Sequence, residues 1–419
     1  MNDQRFDVRY RIETPGSLSE AAEALAGEQS SGTFVEVEHE SESLHRVHAG
    51  RVEEIIKTET VTESTLPGAR KSADGTYRQG EIIVSFPTIN VGTSLSNLLT
   101  TVGGNLFELQ ELSGIRLLDL EIPKPIKEKY RGPQFGIEGT RELVGIYDRP
   151  LIGTIIKPNV GLSPNKTGEI VETLAGAGVD FIKDDELIAD PSYSPVEERV
   201  SAVMDAIRRN TTSEQEILYA CNITGDLQKM KQHHDTVVEA GGNCVMVSVE
   251  SIGLAGLHAL SEYAEVPIHA HRNGWGARSR EPMLGFEYTP YQKFLRLAGA
   301  DHVHVNGIDN KFSEPNASVI ESANAVQTPI ADPSDIALPV FSSGQWAKQA
   351  PKTYDALGNV DLLHVAGGGI LGHPDGPAAG VNHLHQGWEA AMKGISLESY
   401  AEEHEELRHA LAHYGGENE

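Results

Sequence analysis

The chain has 419 residues, enough for two domains or for one barrel carrying an added module. Its 61 acidic residues against 34 basic ones leave a formal charge of -27, which argues against partners of the same sign: no nucleic acid, and no anionic membrane surface. An anionic substrate must therefore meet a local positive pocket, and the carboxylate coat is compatible with a salt-rich cytosol or simply with solubility.

The first ten residues contain no apolar signal core, and no later stretch approaches the roughly 20 apolar residues of a membrane span, so a cytoplasmic protein is expected. Residues 1–132 read as an α+β domain. Strands are expected at Phe6 to Ile12, Arg51 to Thr58 and Glu81 to Pro87, with helices near Ser17 to Ala26 and Ser94 to Val102. The Pro-Lys-rich segment 123–133 breaks both periodicities and reads as a linker. After residue 145 short apolar strands recur near 151–157, 179–184, 217–224, 244–249, 267–272, 302–307, 339–343 and 362–366, each followed by a helix-compatible stretch. Eight such units predict an α/β chain whose residues 133–419 close into a (β/α)8 TIM barrel. Cys221 and Cys244, the two cysteines, lie inside apolar strands and read as small core residues.

Nearly every barrel strand ends in polar or glycine residues, which places chemistry at the C-terminal mouth. Gly178 to Glu186 reads Gly-Val-Asp-Phe-Ile-Lys-Asp-Asp-Glu. A buried Lys183 there would face Asp184, Asp185 and Glu186, either as a plain ion-pair cluster or as a cation site. Lys183 and Asp185 share a strand face, and Glu186 can turn back toward both. Carbamylation of Lys183 by CO2 would complete three oxygen ligands, a set that suits Mg2+. His269 and His271 form a His-x-His pair ending in Arg272, and His302 and His304 form a second. Such pairs serve equally as metal ligands or as satisfied neutral histidines. Lys311 reads in isolation as a solvated loop residue. Gly367-Gly368-Gly369 after the last strand is a backbone cradle suited to phosphate. Carbamate-bridged zinc hydrolases and enolase-type barrels offer partial precedents, but chain order and ligand distribution speak against both.

Taken together and in this order, these residues resemble the large subunit of RuBisCO and the RuBisCO-like proteins. Gly153-Thr-Ile-Ile-Lys-Pro158 looks like the family's first strand motif, with Lys157 catalytic, and 178–186 looks like its activation motif. The resemblance implies Mg2+ held by carbamylated Lys183, Asp185 and Glu186. It implies catalytic roles for His271, His304 and the loop lysine Lys311. Arg272, Ser342, Ser343, Gly344, Gly367 and Gly368 would bind substrate or phosphate. Glu28, Thr33, Phe34 and Asn105 resemble segments of a ferredoxin-like N-terminal domain that reach into a partner's site, so the expected active unit is a homodimer or a higher assembly of dimers.

The departures point to a RuBisCO-like protein rather than an authentic carboxylase. Asn159 stands where carboxylases carry a second lysine, Ile155 replaces a threonine, Trp275 a histidine and Ser343 a glycine. Losing an ammonium beside Lys157 changes which proton that lysine can move. Two intact anion sites favour a substrate with two anionic ends, as in RuBisCO-like proteins of apiose catabolism that act on 3-oxo-isoapionate 4-phosphate. The expected activity is therefore a lyase or transcarboxylase that forms an enediolate, with Lys311 favouring transcarboxylation and hydrolysis over simple decarboxylation. Alternatives are an enolase or isomerase of methylthio-sugar phosphates in methionine salvage, an authentic ribulose-bisphosphate carboxylase, and a non-catalytic binding protein.

Overall fold

The computed structural model describes residues 4–32, 39–210 and 216–416. They cluster into two compact units, Met1–Arg131 with Gly274–Phe294, and Gly132–Asn273 with Leu295–Glu419.

The first unit is built on β1 (Arg5–Thr14), β2 (Arg51–Val61), β3 (Tyr77–Pro87) and β4 (Gly114–Leu120). In β1 the alternation expected of a half-buried strand is direct: Phe6, Val8, Tyr10 and Ile12 are buried, with Asp7 and Arg9 exposed between them. The sheet order β4-β1-β3-β2, with the Leu18–Glu28 helix after β1 and the Leu95–Val102 helix after β3, is the ferredoxin-like arrangement. Ser17 caps the first of these helices by accepting from Glu20 N.

A fifth strand comes from far along the chain. Leu284–Phe286, β10 once the barrel strands below are counted, runs parallel to β4. Its anchor is Arg116, which donates to the Glu287 carboxylate at 2.7 Å and to the Glu281 and Leu284 carbonyls at 2.9 and 3.0 Å. Gly285 there has φ +97°, and a Cβ would lie 1.8 Å from Arg278 O, so only glycine fits. The segment read as a linker is also more regular than expected, with a helix over Lys124–Lys129. Prolines at its start are tolerated because the first turn has no intrahelical partner for its N–H groups.

The second unit is a closed barrel of eight parallel strands: β5 (Leu151–Ile155), β6 (Phe181–Lys183), β7 (Leu218–Asn222), β8 (Cys244–Ser248), β9 (Ile268–His271), β11 (His302–His304), β12 (Leu338–Phe341) and β13 (Leu363–Val365). Seven of the eight lie within the stretches expected from the sequence, and β12 begins one residue before the expected 339–343. Alternate residues fill the lumen: Leu151, Phe181, Leu218, Ala220, Cys244, Met246, Leu338, Val340, Leu363 and Val365 form one core with Ile137 and Val144 of the Gly136–Val144 helix. That helix is pinned by buried Asp301, which accepts from Phe135 N at 2.6 Å, Gly136 N at 3.0 Å and Ile268 N at 2.8 Å. Both cysteines are buried and free, as expected of core residues. Among the described residues, no helix is long and apolar enough to cross a membrane.

Candidate active site at the barrel mouth

Two residues beyond each filled layer, the same period brings polar side chains to the C-terminal rim. Lys183 sits two residues past Phe181, Asn222 past Ala220, Ser342 past Val340 and Gly367 past Val365.

Lys183 is 1 % exposed, and its Nζ donates to the Asp184 carbonyl at 2.8 Å and faces Met246 Sδ at 3.5 Å, while Glu186 Oε2 stays at 3.9 Å. Such surroundings solvate an ammonium poorly. Burial pushes Lys183 down to about 8 against the opposing pull of Glu186 and Asp185.

The expectation that Lys183 faces all three carboxylates needs one correction. The Asp184 side chain turns away: it accepts from Arg199 Nε at 3.0 Å, Tyr219 OH at 2.7 Å and Asn222 N at 2.9 Å. The alternation that aims Lys183 and Asp185 at the lumen sends Asp184 to the barrel's outer wall. Asp185 is fully buried and accepts from Lys157 Nζ at 2.6 Å and from Leu187 N at 3.1 Å. Asn222 Nδ2 donates to the carbonyls of Asp185 and Glu186 at 3.1 and 3.2 Å, so it orients both acids.

The rim continues from Glu186 to His271 Nε2 at 3.6 Å, and the His271 and His304 rings lie 4.5 Å apart. Burial, followed by the charge on Lys183, pushes His271 down to about 4. His304 Nδ1 meets Ser342 Oγ at 3.1 Å. Ser343 is left-handed, φ 76°, where the family resemblance led one to expect glycine; its hydroxyl donates to Asn306 Oδ1 at 3.0 Å, which offsets part of the strain. A Cβ on Gly367 would lie 3.4 Å from Lys157 Cε, so the glycine turn closes the circle beside the first lysine. Asn159 Oδ1 accepts from Lys157 Nζ at 2.9 Å.

Arg272 is also at this rim, but its guanidinium is paired with the Glu314 carboxylate, which also accepts from Asn306 Nδ2 at 2.6 Å and Ser318 Oγ at 2.8 Å. Glu314 was not singled out from the sequence, since one acid in a polar loop carries no pattern. Here it occupies the guanidinium to which the family resemblance assigns a substrate anion. Replacing Glu314 by Gln removes that competing charge, and inorganic phosphate should bind about tenfold more tightly in a titration, given about 1.5–3 kcal/mol for a charge-assisted hydrogen bond. Weaker phosphate binding would instead mark Glu314 as the group that holds Arg272 in place.

Lys311 is not gathered with the others: it is exposed, its Nζ stands 5.3 Å over the Phe312 ring, and its backbone N donates to Ser343 O at 3.1 Å. Gly344 packs against it, a Cβ there lying 3.4 Å from Lys311 Cβ. Gly368 opens the short turn Gly368–Leu371. In the first unit Asn105 Nδ2 donates to Glu28 Oε1 at 3.4 Å, which brings those two expected residues together. Thr33 and Phe34 lie outside the described residues.

The donor set can be tested against a divalent cation. Among the described residues no three His, Cys, Asp or Glu side chains gather as a metal site. Asp185 and Glu186 are two carboxylates, one short of the usual anionic set for a hard cation, and Lys183 can supply the third only as a carbamate. A buried amine that holds its proton less tightly than an ordinary lysine fits that need.

A closed barrel whose rim gathers a buried lysine, two carboxylates, two imidazoles and an arginine has the form of a TIM-barrel enzyme. Residues 136–414 match the model of the ribulose bisphosphate carboxylase large chain, catalytic domain, and residues 2–126 that of its N-terminal domain. The chain is 48 % identical over 97 % of its length to a 3-oxo-isoapionate-4-phosphate transcarboxylase/hydrolase of Xanthobacter autotrophicus, covering 99 % of that protein. It is 44 % identical, over 97 % of its length and 98 % of the relative, to a 3-oxo-isoapionate-4-phosphate decarboxylase of Rhizobium rhizogenes. The crystal structure of a rubisco-like protein from Burkholderia fungorum superposes with a TM-score of 0.91 at 44 % identity, covering 98 % of this chain and 99 % of that one. The chain belongs to the RuBisCO large-chain family, among its RuBisCO-like members.

Proposed function

We propose that this chain is a Mg2+-dependent 3-oxo-isoapionate-4-phosphate transcarboxylase/hydrolase, with Lys183 carbamylated by CO2. The observation that carries the reading is the assembly of Lys157, Lys183, Asp185, Glu186, His271 and His304 on one rim, in a chain 48 % identical end to end to a relative of that name. The simple decarboxylase is the second reading, favoured by relatives at 44 % identity that carry that name.

Lys183, Asp185 and Glu186 would hold the cation, which when bound supplies Lewis-acid polarisation of a ketone and its neighbouring oxygen. Asp185 and Asn159 hold Lys157 Nζ at the rim, where it can move a proton to or from the substrate carbon skeleton. Asn159 leaves that ammonium without the second lysine of the carboxylases, so the proton-transfer partner differs from theirs. His271, neutral, offers Nε2 on the Glu186 side. Arg272 takes one anionic end of the substrate once Glu314 yields, and the Gly367-Gly368 turn takes the other. Lys311 would swing from Phe312 to hold the migrating carboxyl group. Its positive charge is what carbon–carbon bond formation requires and decarboxylation does not. Glu28 and Asn105 would serve the barrel of a second copy, which makes a homodimer the smallest complete unit.

The test is incubation with Mg2+, bicarbonate and carbon-labelled 3-oxo-isoapionate 4-phosphate, followed by NMR. Retention of every substrate carbon in two acids supports transcarboxylation with hydrolysis, whereas labelled CO2 with a sugar phosphate one carbon shorter assigns the decarboxylase. Absence of turnover defeats both.

Activation carries its own pH signature. Carbamylation needs the neutral amine, and the neutral fraction of a lysine held at about 8 rises with pH through that value. Pre-incubation with CO2 and Mg2+ should therefore raise the subsequent initial rate more at pH 8.5 than at pH 7, about eightfold by the ratio of neutral fractions. A flat response, assayed at one common pH, would show that activation does not pass through this lysine.

A further inference from the structure

Below the rim, three buried imidazoles are linked through the barrel interior. His304 Nε2 lies 2.7 Å from His269 Nε2, His269 Nδ1 lies 3.4 Å from His302 Nδ1, and His302 Nε2 lies 2.9 Å from Thr140 Oγ1 on the helix that closes the barrel floor. At the bottom, Thr140 Oγ1 donates to the Gly136 carbonyl at 2.5 Å. At the top, His304 Nδ1 meets Ser342 Oγ. Burial pushes all three histidines down, His302 to about 3, so each carries a single ring proton at neutral pH.

A carbonyl can only accept, and that settles the direction of every bond above it. Because the Thr140 proton goes to Gly136 O, Thr140 must accept from His302 Nε2–H. His302 Nδ1 is then bare and must accept from His269 Nδ1–H. His269 Nε2 is in turn bare and accepts from His304 Nε2–H. His304 is left with a bare Nδ1 at the rim, where it accepts from the Ser342 hydroxyl. The reverse direction would require Thr140 to abandon its shortest contact and leave the chain without its anchor.

We propose that Thr140, His302 and His269 form a tautomer lock that consumes the Ser342 proton inward, so that Ser342 Oγ offers a ligand only lone pairs and selects a substrate hydroxyl rather than a phosphate or carboxylate oxygen. This revises the expectation of Ser342 as an anion donor. Thr140, His302 and His269 are positioning residues, since none reaches the rim. The neighbouring Ser343 hydroxyl is committed in the same sense, to Asn306 Oδ1. The lock is independent of the reaction proposed above, whereas its effect on substrate selection rests on that reading.

The test is 15N NMR of selectively 15N-histidine-labelled protein, with His304 assigned by comparison with His304→Gln. The native protein should show His304 Nδ1 as a bare, pyridine-type nitrogen and Nε2 as protonated; the opposite pattern overturns the lock. Thr140→Val should average or invert the pattern while Thr140→Ser preserves it, and a native pattern in Thr140→Val also overturns it. Because the native spectrum decides the direction by itself, a failure of the valine variant to fold leaves the lock testable. With substrate, Thr140→Val should raise KM severalfold with Thr140→Ser restoring it. An unchanged KM in a variant whose pattern has inverted overturns the hydroxyl selection.

Discussion

Lys183→Met should lower kcat/KM by at least ~10^3-fold and abolish the response to CO2 and Mg2+, while leaving the protein folded. A Lewis acid is worth several kcal/mol of charge stabilisation in the transition state, and each 1.36 kcal/mol is tenfold in rate. Two carboxylates, Asp185 and Glu186, remain in the variant, too few anionic ligands to hold a hard cation tightly. Methionine nearly matches the lysine in volume and removes a charge that is buried against a carbonyl and a thioether. The melting temperature should therefore hold or rise. Activity within tenfold of the native protein would refute both the cation site and the role of the carbamate.

Arg199→Met should be the most destabilising single substitution among those discussed. Arg199 and Asp184 are 0 % and 1 % exposed and joined at 3.0 Å, and Arg199 also donates to the Ser194 and Ala189 carbonyls. Removing the cation leaves a buried carboxylate with, among the described residues, Tyr219 OH and Asn222 N as its remaining donors. The cost of stranding such a charge is about 3–5 kcal/mol. In a barrel of this size that corresponds to a fall in Tm of about 5–8 °C. The double variant Arg199→Met with Asp184→Leu should recover much of the loss, because no charge is then stranded. A single variant that melts within a degree or two of the native protein would show that Asp184 finds water or another donor. Activity should fall along with stability, because Asp184 is the neighbour that fixes the backbone between Lys183 and Asp185.

Much of this was readable along the chain because strand ends carry period-2 information. Lys157, Lys183, His271, His304 and Gly367 follow apolar runs at a spacing that aims them into a barrel, and the structure gathers them on one rim. Glu314 was illegible because its partner, Arg272, lies 42 residues away, just past the end of β9, and no local pattern ties the two. The extra strand at Leu284–Phe286 was missed for a related reason. Three residues show no periodicity, and what makes them a strand is the edge of β4 and the buried Arg116, more than 160 residues earlier. Asp184 was read as part of one acidic cluster, although the alternation that turns Lys183 inward turns Asp184 outward.

By itself, the sequence determined the two kinds of domain, the number and approximate place of the barrel strands, and most of the polar residues that gather at the barrel mouth, because hydrophobic period and motif order are properties of neighbours along the chain. The tertiary structure alone decided which carboxylate Lys183 sees, which acid occupies Arg272, and which way the protons run from Ser342 to Thr140. Those depend on hydrogen-bond partners far apart in sequence, and the direction of a hydrogen-bond chain is set at its end, by a single carbonyl that can only accept.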